Sequence, residues 1–389
     1  AQGSVELSGS MDSDLATVEH LITQLRDQIS YLPDDPYLHY ATEGESTEYH
    51  HDNEVVSSHA AVEQVIVAAS NATGDEGGDL DLVGIFANGI QYSGYASSHD
   101  DRSGGQRHWH SSATFNFDWS CYLTDGPDRD KAVKSNYAGF EWQADALAGR
   151  FDAIWHQLDI LSRPAKVIEP GEYRAYLSPT AMSDIIGMMA WGGFGLKSHR
   201  TKNTPLLQMV EKGRMLDERV SLREYAGRGL APRFTSSGFI KPDEVKLIEN
   251  GRYADTLVSA RSAKEYGESV NADWEYPGAL DMAAGDIKQE QVLQQLGTGM
   301  YINNLWYLNF TDRNNCQLTG MTRFACFWVE DGEIVAPLNV MRFDDSVYRL
   351  LGDNLVGLTK ERELMLDAST YGGRSNHSME LPGVLVSGL

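Results

Sequence analysis

From His108 to Tyr122 the chain alternates strictly enough to dictate its conformation. Trp109, Ser111, Ala113, Phe115, Phe117 and Trp119 share one parity, a period of two that only an extended strand satisfies. A strand this long needs partners, and the sequence offers several. Leu82–Ala87 and Ile90–Tyr95 flank Asn88-Gly89, which predicts a tight hairpin. Val133–Gly139 adds a further short element. Helical spacing appears in three places. Leu15, Val18, Leu21, Ile22, Leu25 and Ile29 mark a helix over Met11–Ser30, capped by Asp12 or Ser13. Val55, Val62, Ile66 and Ala69 mark one over Glu54–Ser70. Leu147, Phe151, Ile154, Leu158 and Leu161 mark one over Ala144–Ser162. Val5–Ser10 reads as a short strand that begins abruptly, so an upstream segment is expected.

Arg163-Pro164 to Pro170-Gly171 reads as a hinge. Beyond it lie a strand at Tyr173–Leu177 and an apolar helix at Thr180–Ala190 stopped by Gly192-Gly193. Polar loops follow at Thr235–Gly238 and Asp273–Pro277, then a short helix at Gln289–Gln295. Strands at Met300–Phe310, Arg323–Glu330 and Glu333–Val340 close the pattern, the last two joined at Asp331-Gly332. No repeat and no regular strand–helix–strand alternation is present. The fold class is therefore α+β. Two domains are expected: 1–163, with helices and antiparallel strands, and 171–389, mainly antiparallel β.

Composition narrows the function. Among 389 residues, 56 Asp and Glu against 32 Lys and Arg give a net charge of -24. That field repels nucleic-acid phosphates and anionic lipid surfaces, and no apolar run is long enough to span a bilayer. Solvation alone accounts for the charge equally well. Three cysteines, Cys121, Cys316 and Cys326, cannot all pair internally, which points to a reducing cytoplasm.

Motifs for independent catalysis are sparse. Neither Gly-x-Ser-x-Gly nor a lysine-bearing phosphate loop occurs, and no histidine precedes a glutamate. His108 and His110 share a strand face and could bind a divalent metal with Asp118 or His99; ordinary polar strand residues is the plainer reading. His50-His51-Asp52 and Asp100-Asp101 read as solvated turns. Cys316, in a polar turn, could be a nucleophile, and Cys326 reads as core. Asp273, Glu275, Asp281 and Asp286 around Trp274 and Tyr276 could form a substrate groove or a paired-acid site; a charged loop is the plainer reading.

Leu296-Gly297-Thr298-Gly299-Met300-Tyr301-Ile302-Asn303-Asn304 resembles the "GTGLYVT" strand of the PmbA/TldD family, also called modulators of DNA gyrase. Gly320–Ile334, with Cys326-Phe327-Trp328-Val329-Glu330-Asp331-Gly332-Glu333, resembles its "GFW(I/V)ENGE" segment. Val335-Ala336-Pro337-Leu338 and Leu351–Leu355 also fit. The resemblance runs from about Ser13 to the end and implies a dimer. In it a catalytic, TldD-like subunit carries zinc on a His-Glu-x-x-x-His helix with a later cysteine, and the assembly cleaves unfolded or small peptides. Here the corresponding helix offers Gly187, Met188 and Trp191, and Thr370–His377 holds no cysteine. The resemblance therefore implies a non-catalytic TldE/PmbA-like subunit with no cofactor of its own, zinc residing in the partner. The other readings are an independent hydrolase with a relocated metal site, such as His108 and His110 with an acidic partner, and a non-enzymatic binding or scaffolding homodimer. Asn303, Asn304, Trp306, Arg323, Trp191 and Arg374 are the expected contributors to a peptide cleft, the strand bearing Asn303 either offering an edge to substrate or serving as a purely architectural central strand.

Overall fold

The computed structural model describes residues 1–42, 44–51, 58–73, 80–97, 105–123, 131–323, 325–369 and 374–389. They form two compact units, Ala1–His39 and Tyr40–Leu389. The first is the helix α1 (Met11–Ile29) with the segment before it. Val5–Ser10 is not a strand. The Ser8 and Gly9 amides donate to the Asp14 carboxylate at 2.8 Å each, which folds the segment onto the first helical turn instead.

The second unit opens with β1 (Thr47–His51), α2 (Ser58–Thr73), β2 (Leu80–Ala96), β3 (Arg107–Leu123), β4 (Ala132–Gly139) and α3 (Ala144–Leu161). The expected acidic turn at His50-His51 is the end of β1, which runs parallel to β3; Asp52, His99 and Asp100-Asp101 lie outside the described residues. The expected hairpin at Asn88-Gly89 is absent. β2 runs straight through, with Asn88 opposite Phe115 and Gly89 opposite Thr114. A type I′ turn needs positive φ at both central residues, and Asn88 does not adopt one. β3 is as long as β2, and pairing along its whole length outweighs the local turn signal.

On one face of β3, Phe115, Phe117 and Trp119 pack with Leu147, Phe151, Ile154 and Leu158 of α3. Phe117 and Trp119 stack at 4.2 Å, and Phe151 continues the stack at 5.4 Å. This core also takes in Ala325 and Phe327, so residues 115–161 and the C-terminal strands share buried surface.

The remaining elements are β5 (Ala175–Leu177), α4 (Pro179–Ala190), α5 (Leu196–Arg200), α6 (Leu207–Lys212), β6 (Leu222–Tyr225), β7 (Glu244–Glu249), β8 (Arg252–Tyr253), α7 (Ala260–Tyr266) and β9 (Ala279–Met282). Then come α8 (Val292–Leu296), β10 (Gly299–Ile302), β11 (Leu305–Asp312), β12 (Gln317–Thr322), β13 (Cys326–Glu330), β14 (Glu333–Pro337), β15 (Arg342–Ser346), β16 (Leu355–Leu366) and β17 (Ser378–Val386). A mixed sheet runs β14-β13-β10-β5-β17-β9-β6-β7-β8, with β16 beside β17, and a small sheet runs β11-β12-β15. The expected continuous strand Met300–Phe310 is thus broken into β10 and β11, which belong to different sheets. The break has a local cause. Ser178 donates its amide to the Ile302 carbonyl at 3.0 Å and its hydroxyl to the Asn303 carbonyl at 2.6 Å. The first is the last bond of the parallel β5–β10 ladder, and the second takes the Asn303 carbonyl out of it, where the chain turns.

α4 begins with Ser178 as N-cap, its hydroxyl accepting the Ala181 amide, and Pro179 at the first position. A Cβ on Gly193 would stand 2.0 Å from the Met189 carbonyl oxygen, so only glycine permits this exit. Cys316 is fully buried rather than in an open turn, and burial pushes its thiol up to about 12. That protonation state removes it as a nucleophile.

A buried ion cluster ties the middle of the large sheet together. Asp281 of β9 is paired with Arg223 of β6 at 3.0 Å, Arg362 of β16 at 2.9 Å, and Arg228. Arg228 and Arg362 also hold Glu380 of β17. Burial works to raise the Asp281 carboxyl, but the three guanidinium groups outweigh it and hold the group below its ordinary value.

Two stability outcomes follow. Trp119→Ala removes a fully buried indole from the aromatic stack and should cost about 3–5 kcal/mol in urea unfolding; a loss under about 1 kcal/mol would contradict this packing. Asp281→Ala leaves its arginines short of a buried partner and should cost about 3–5 kcal/mol. Since the folded carboxyl titrates low, the native protein keeps this contribution above about pH 4 and loses it as pH falls. Unfolding midpoints of wild type and variant should therefore converge in acid, and a constant difference down to low pH would rule out the charge cluster as its source.

A polar cleft as candidate functional site

The face of β3 opposite the aromatic core is buried as well. It carries His108, His110, Ser112, Thr114 and Asn116. Around it close the segment Leu230–Lys241, the loop Ala272–Gly278 and the segment Arg374–His377, which enclose a cleft of about 290 Å³. β2 contributes Gln91 and Ser93, and β6 contributes Glu224. Asp273, Trp274 and Tyr276 from the acidic aromatic loop are at the rim. Glu275 points elsewhere, accepting the Lys197 amide at 3.0 Å.

His110 stacks on Tyr49 of β1, centroids 5.5 Å apart. It is 2% exposed, and neither ring nitrogen completes a hydrogen bond. Burial lowers its pKa; the Gly229 backbone opposes this, and Lys241, His51 and Arg233 add to the lowering. The ring is neutral at neutral pH. Glu224 accepts the Ala279 amide at 3.0 Å. Burial nevertheless raises its carboxyl, against the Ala279 and Gly278 amides and the Lys241 charge. Lys241 is lowered by burial, with Glu224 and Asp273 opposing. Asp273 accepts the Ser236 amide and hydroxyl at 2.9 and 2.7 Å.

Arg374 pins the late segment to the β2–β3 ribbon. Its guanidinium donates to the Gly89 carbonyl at 3.2 Å, the Thr114 carbonyl at 2.9 Å and the Thr114 hydroxyl at 2.7 Å. That hydroxyl donates in turn to Asn376 Oδ1 at 3.3 Å. Tyr276 and His377 stack at 6.3 Å beside them.

The six expected cleft residues do not converge. Only Arg374 lines this cleft. Asn303 lies in a second, smaller one of about 190 Å³ with Arg150, Gln157 and Glu363, its amide donating to Gln157 at 3.3 Å. Asn304 is buried, its carbonyl accepting the Cys326 thiol at 3.5 Å. Trp306 and Arg323 pair on the small sheet, the guanidinium 4.9 Å from the ring centroid. Trp191 lies beside Phe310 and under Arg313, which donates to its carbonyl. The break after Ile302 disperses Asn303, Asn304 and Trp306.

His108 and His110 do share a face, but His108 is engaged by Thr47 at 2.8 Å and the Gly238 carbonyl at 3.2 Å, between the rings of Tyr95 and Phe234. Asp118 faces Lys134 at 4.0 Å. Among the described residues no three His, Cys, Asp or Glu side chains stand close enough to hold a metal. On α4, Gly187 faces Met379 and Met188 packs on the core. The one carboxylate of that helix, Asp184, is pushed up to about 6 by its desolvating surroundings, with Lys134 and the Leu305 backbone opposing. These side chains do not fit a zinc site.

Sequence reasoning missed Glu224, Lys241, Gln91 and Asn376 as cleft residues. Each stands alone in the sequence, and strand order alone brings them together.

Residues 170–389 match the family described as PmbA/TldA metallopeptidase C-terminal domain. No curated protein matches the chain. Among solved structures the fold is similar to that of TldE from Thermococcus kodakarensis, with a TM-score of 0.77 at 15% identity over 96% of this chain and 84% of that one. A candidate modulator of DNA gyrase from Thermotoga maritima gives 0.71 at 15% identity over 94% and 82%. Another from Bacteroides thetaiotaomicron gives 0.68 at 14% over 96% and 82%. The match over more than half the chain, with the shared fold, establishes that this protein belongs to the PmbA/TldD family.

Proposed function

We propose that this chain is the non-catalytic, TldE-like subunit of a two-subunit zinc peptidase that processes unfolded or small peptides. One observation carries the reading. The helix that bears the metal-binding motif in catalytic members presents Gly187, Met188 and Trp191, none of which can ligate zinc or activate water. The late segment Thr370–His377, of which residues 370–373 lie outside the described set, has no cysteine to complete such a site. Zinc, water activation and bond cleavage then belong to a TldD-like partner.

What this chain supplies is surface. Trp191, Trp306 and Tyr307 are 58%, 44% and 76% exposed, with Arg313 and Arg323 over the two tryptophans. Trp306 and Tyr307 lie on β11, an edge strand of the small sheet, and Trp191 stands beside its Phe310. Exposed aromatic and arginine side chains are the residue types that dominate association energies, and an open edge can take an extended peptide as an added strand. Asn303, Asn304 and Arg374 belong to the same proposal as residues that shape the subunit's interior and clefts, away from that surface. The charge of -24 disfavours nucleic acid as a direct partner, and no helix of the described residues is long and apolar enough to cross a membrane.

Co-expression with a family member that carries His-Glu-x-x-x-His tests this reading. The pair should co-purify with one zinc per heterodimer and cleave an unfolded peptide, while the isolated chain does neither. Stoichiometric zinc and cleavage by the isolated chain would instead identify it as a hydrolase in its own right. A stable homodimer that ignores every such partner would make it a scaffold. Within the active pair, Trp191→Ala with Trp306→Ala should reduce cleavage at least tenfold. Unchanged turnover would remove these tryptophans from the assembly.

A further inference from the structure

The cleft beside β3 holds two cations that no carboxylate touches. Among the described residues, Lys241 Nζ has no ion pair within 4 Å. The two acids nearest to it electrostatically are occupied, Glu224 by the Ala279 amide and Asp273 by Ser236. Among the described residues, Arg374 donates only to neutral oxygens. In a chain with 56 acidic and 32 basic residues, two cations lining one cleft without a direct ion pair among the described residues stand out, Glu224 and Asp273 acting on Lys241 only at a distance. A buried or half-buried charge without a counter-ion is costly, and an anion delivered to the cleft removes that cost.

Two further observations specify the anion. Among the described residues His110, 2% exposed, leaves both ring nitrogens short of a well-formed hydrogen bond, the Gly229 backbone being the group beside them, and Gln91 Oε1 is also unpartnered. Unpaired buried polar atoms of this kind belong to a ligand's hydrogen-bond set. Glu224 and Asp273 line the same space, and they would repel a dianion such as phosphate while accepting an amide N–H. Trp274, 69% exposed, and Tyr276 at the rim offer apolar contact. At about 290 Å³ the cleft is at the small end of ligand sites, sized for the end of a chain rather than its middle.

We infer that the cleft is a receptor for the free C-terminal carboxylate of a peptide, neutralised by Lys241 and Arg374 and hydrogen-bonded by His110. The last backbone amide donates to Glu224 or Asp273, and the terminal side chain rests against Trp274 and Tyr276. This deepens the peptide-handling reading above and depends on it only for the ligand's class.

Calorimetric titration of the isolated full chain tests it with three probes: the tripeptide Ala-Ala-Phe, its C-terminal amide, and inorganic phosphate. The free acid should bind at least tenfold more tightly than either of the others. Lys241→Met should weaken the acid at least tenfold with little effect on the amide, and Lys241→Arg should retain it. Arg374→Met should also weaken it, but Arg374 anchors its own segment, so the Lys241 pair carries the test. Equal binding of acid and amide, phosphate binding as tightly as the acid, no binding of any probe, or an unaffected Lys241→Met variant would each overturn the inference. Because these are binding measurements without a partner, a negative result leaves the subunit assignment intact. Conversely, peptide binding by a chain that forms no complex would leave the cleft and remove the assignment.

Discussion

The carboxylate of Asp281 is the constraint on which the C-terminal sheet turns. β6, β9, β16 and β17 come from distant parts of the sequence, and two of their pairings are parallel or interrupted by register shifts. Backbone ladders alone tolerate slippage when both faces are covered. One buried carboxylate shared by Arg223, Arg228 and Arg362 does not, because a shift of one residue would strand a charge in the interior. Opposite Asp281 stand Arg223 and Glu380 in register. The same strand begins at Ala279, whose amide holds Glu224. Fixing Asp281 thus fixes the floor of the polar cleft.

Much of this was legible in the sequence, and the reasons differ by element. α3 and α4 follow from apolar spacing, since Leu147, Phe151, Ile154 and Leu158 are the residues that α3 buries. β3 follows from its alternation. Two other strands were misread where a local signal competed with a distant partner. Asn88-Gly89 is a turn sequence, yet seventeen paired positions on β3 keep it extended. Asn303 reads as mid-strand, but Ser178, far back in the chain, pulls its carbonyl out of line. Neither outcome is encoded within a window of ten residues. The family motif Gly297–Asn304 was readable because its glycines serve the backbone. Gly299 packs against the Arg174 carbonyl, where a Cβ would stand at 2.2 Å.

The cleft was largely illegible for a related reason. Its polar residues come singly from β2, β3, β6 and two loops, with no shared spacing to mark them. The acidic aromatic loop Asp273–Tyr276 was the exception, because charges set beside large rings are unusual enough to register as a groove. What neither composition nor motif could convey is which charges lack partners. The total charge is strongly negative, yet in the cleft Lys241 and Arg374 make no direct ion pair among the described residues, the neighbouring acids Glu224 and Asp273 being hydrogen-bonded to backbone amides and a serine.

The segment that joins β3's layer to the large sheet is itself a short stretch of sheet. Lys166 donates its amide to the Pro337 carbonyl at 2.7 Å, accepts from the Asn339 amide at 3.3 Å, and sets its ammonium 2.5 Å from Glu330 and over the Trp328 ring. With Ala325 and Phe327 buried in the aromatic core on the other side, the two layers have no free pivot. The cleft between them is thus framed on both sides by contacts that tie the layers together, with Trp274 exposed at its rim.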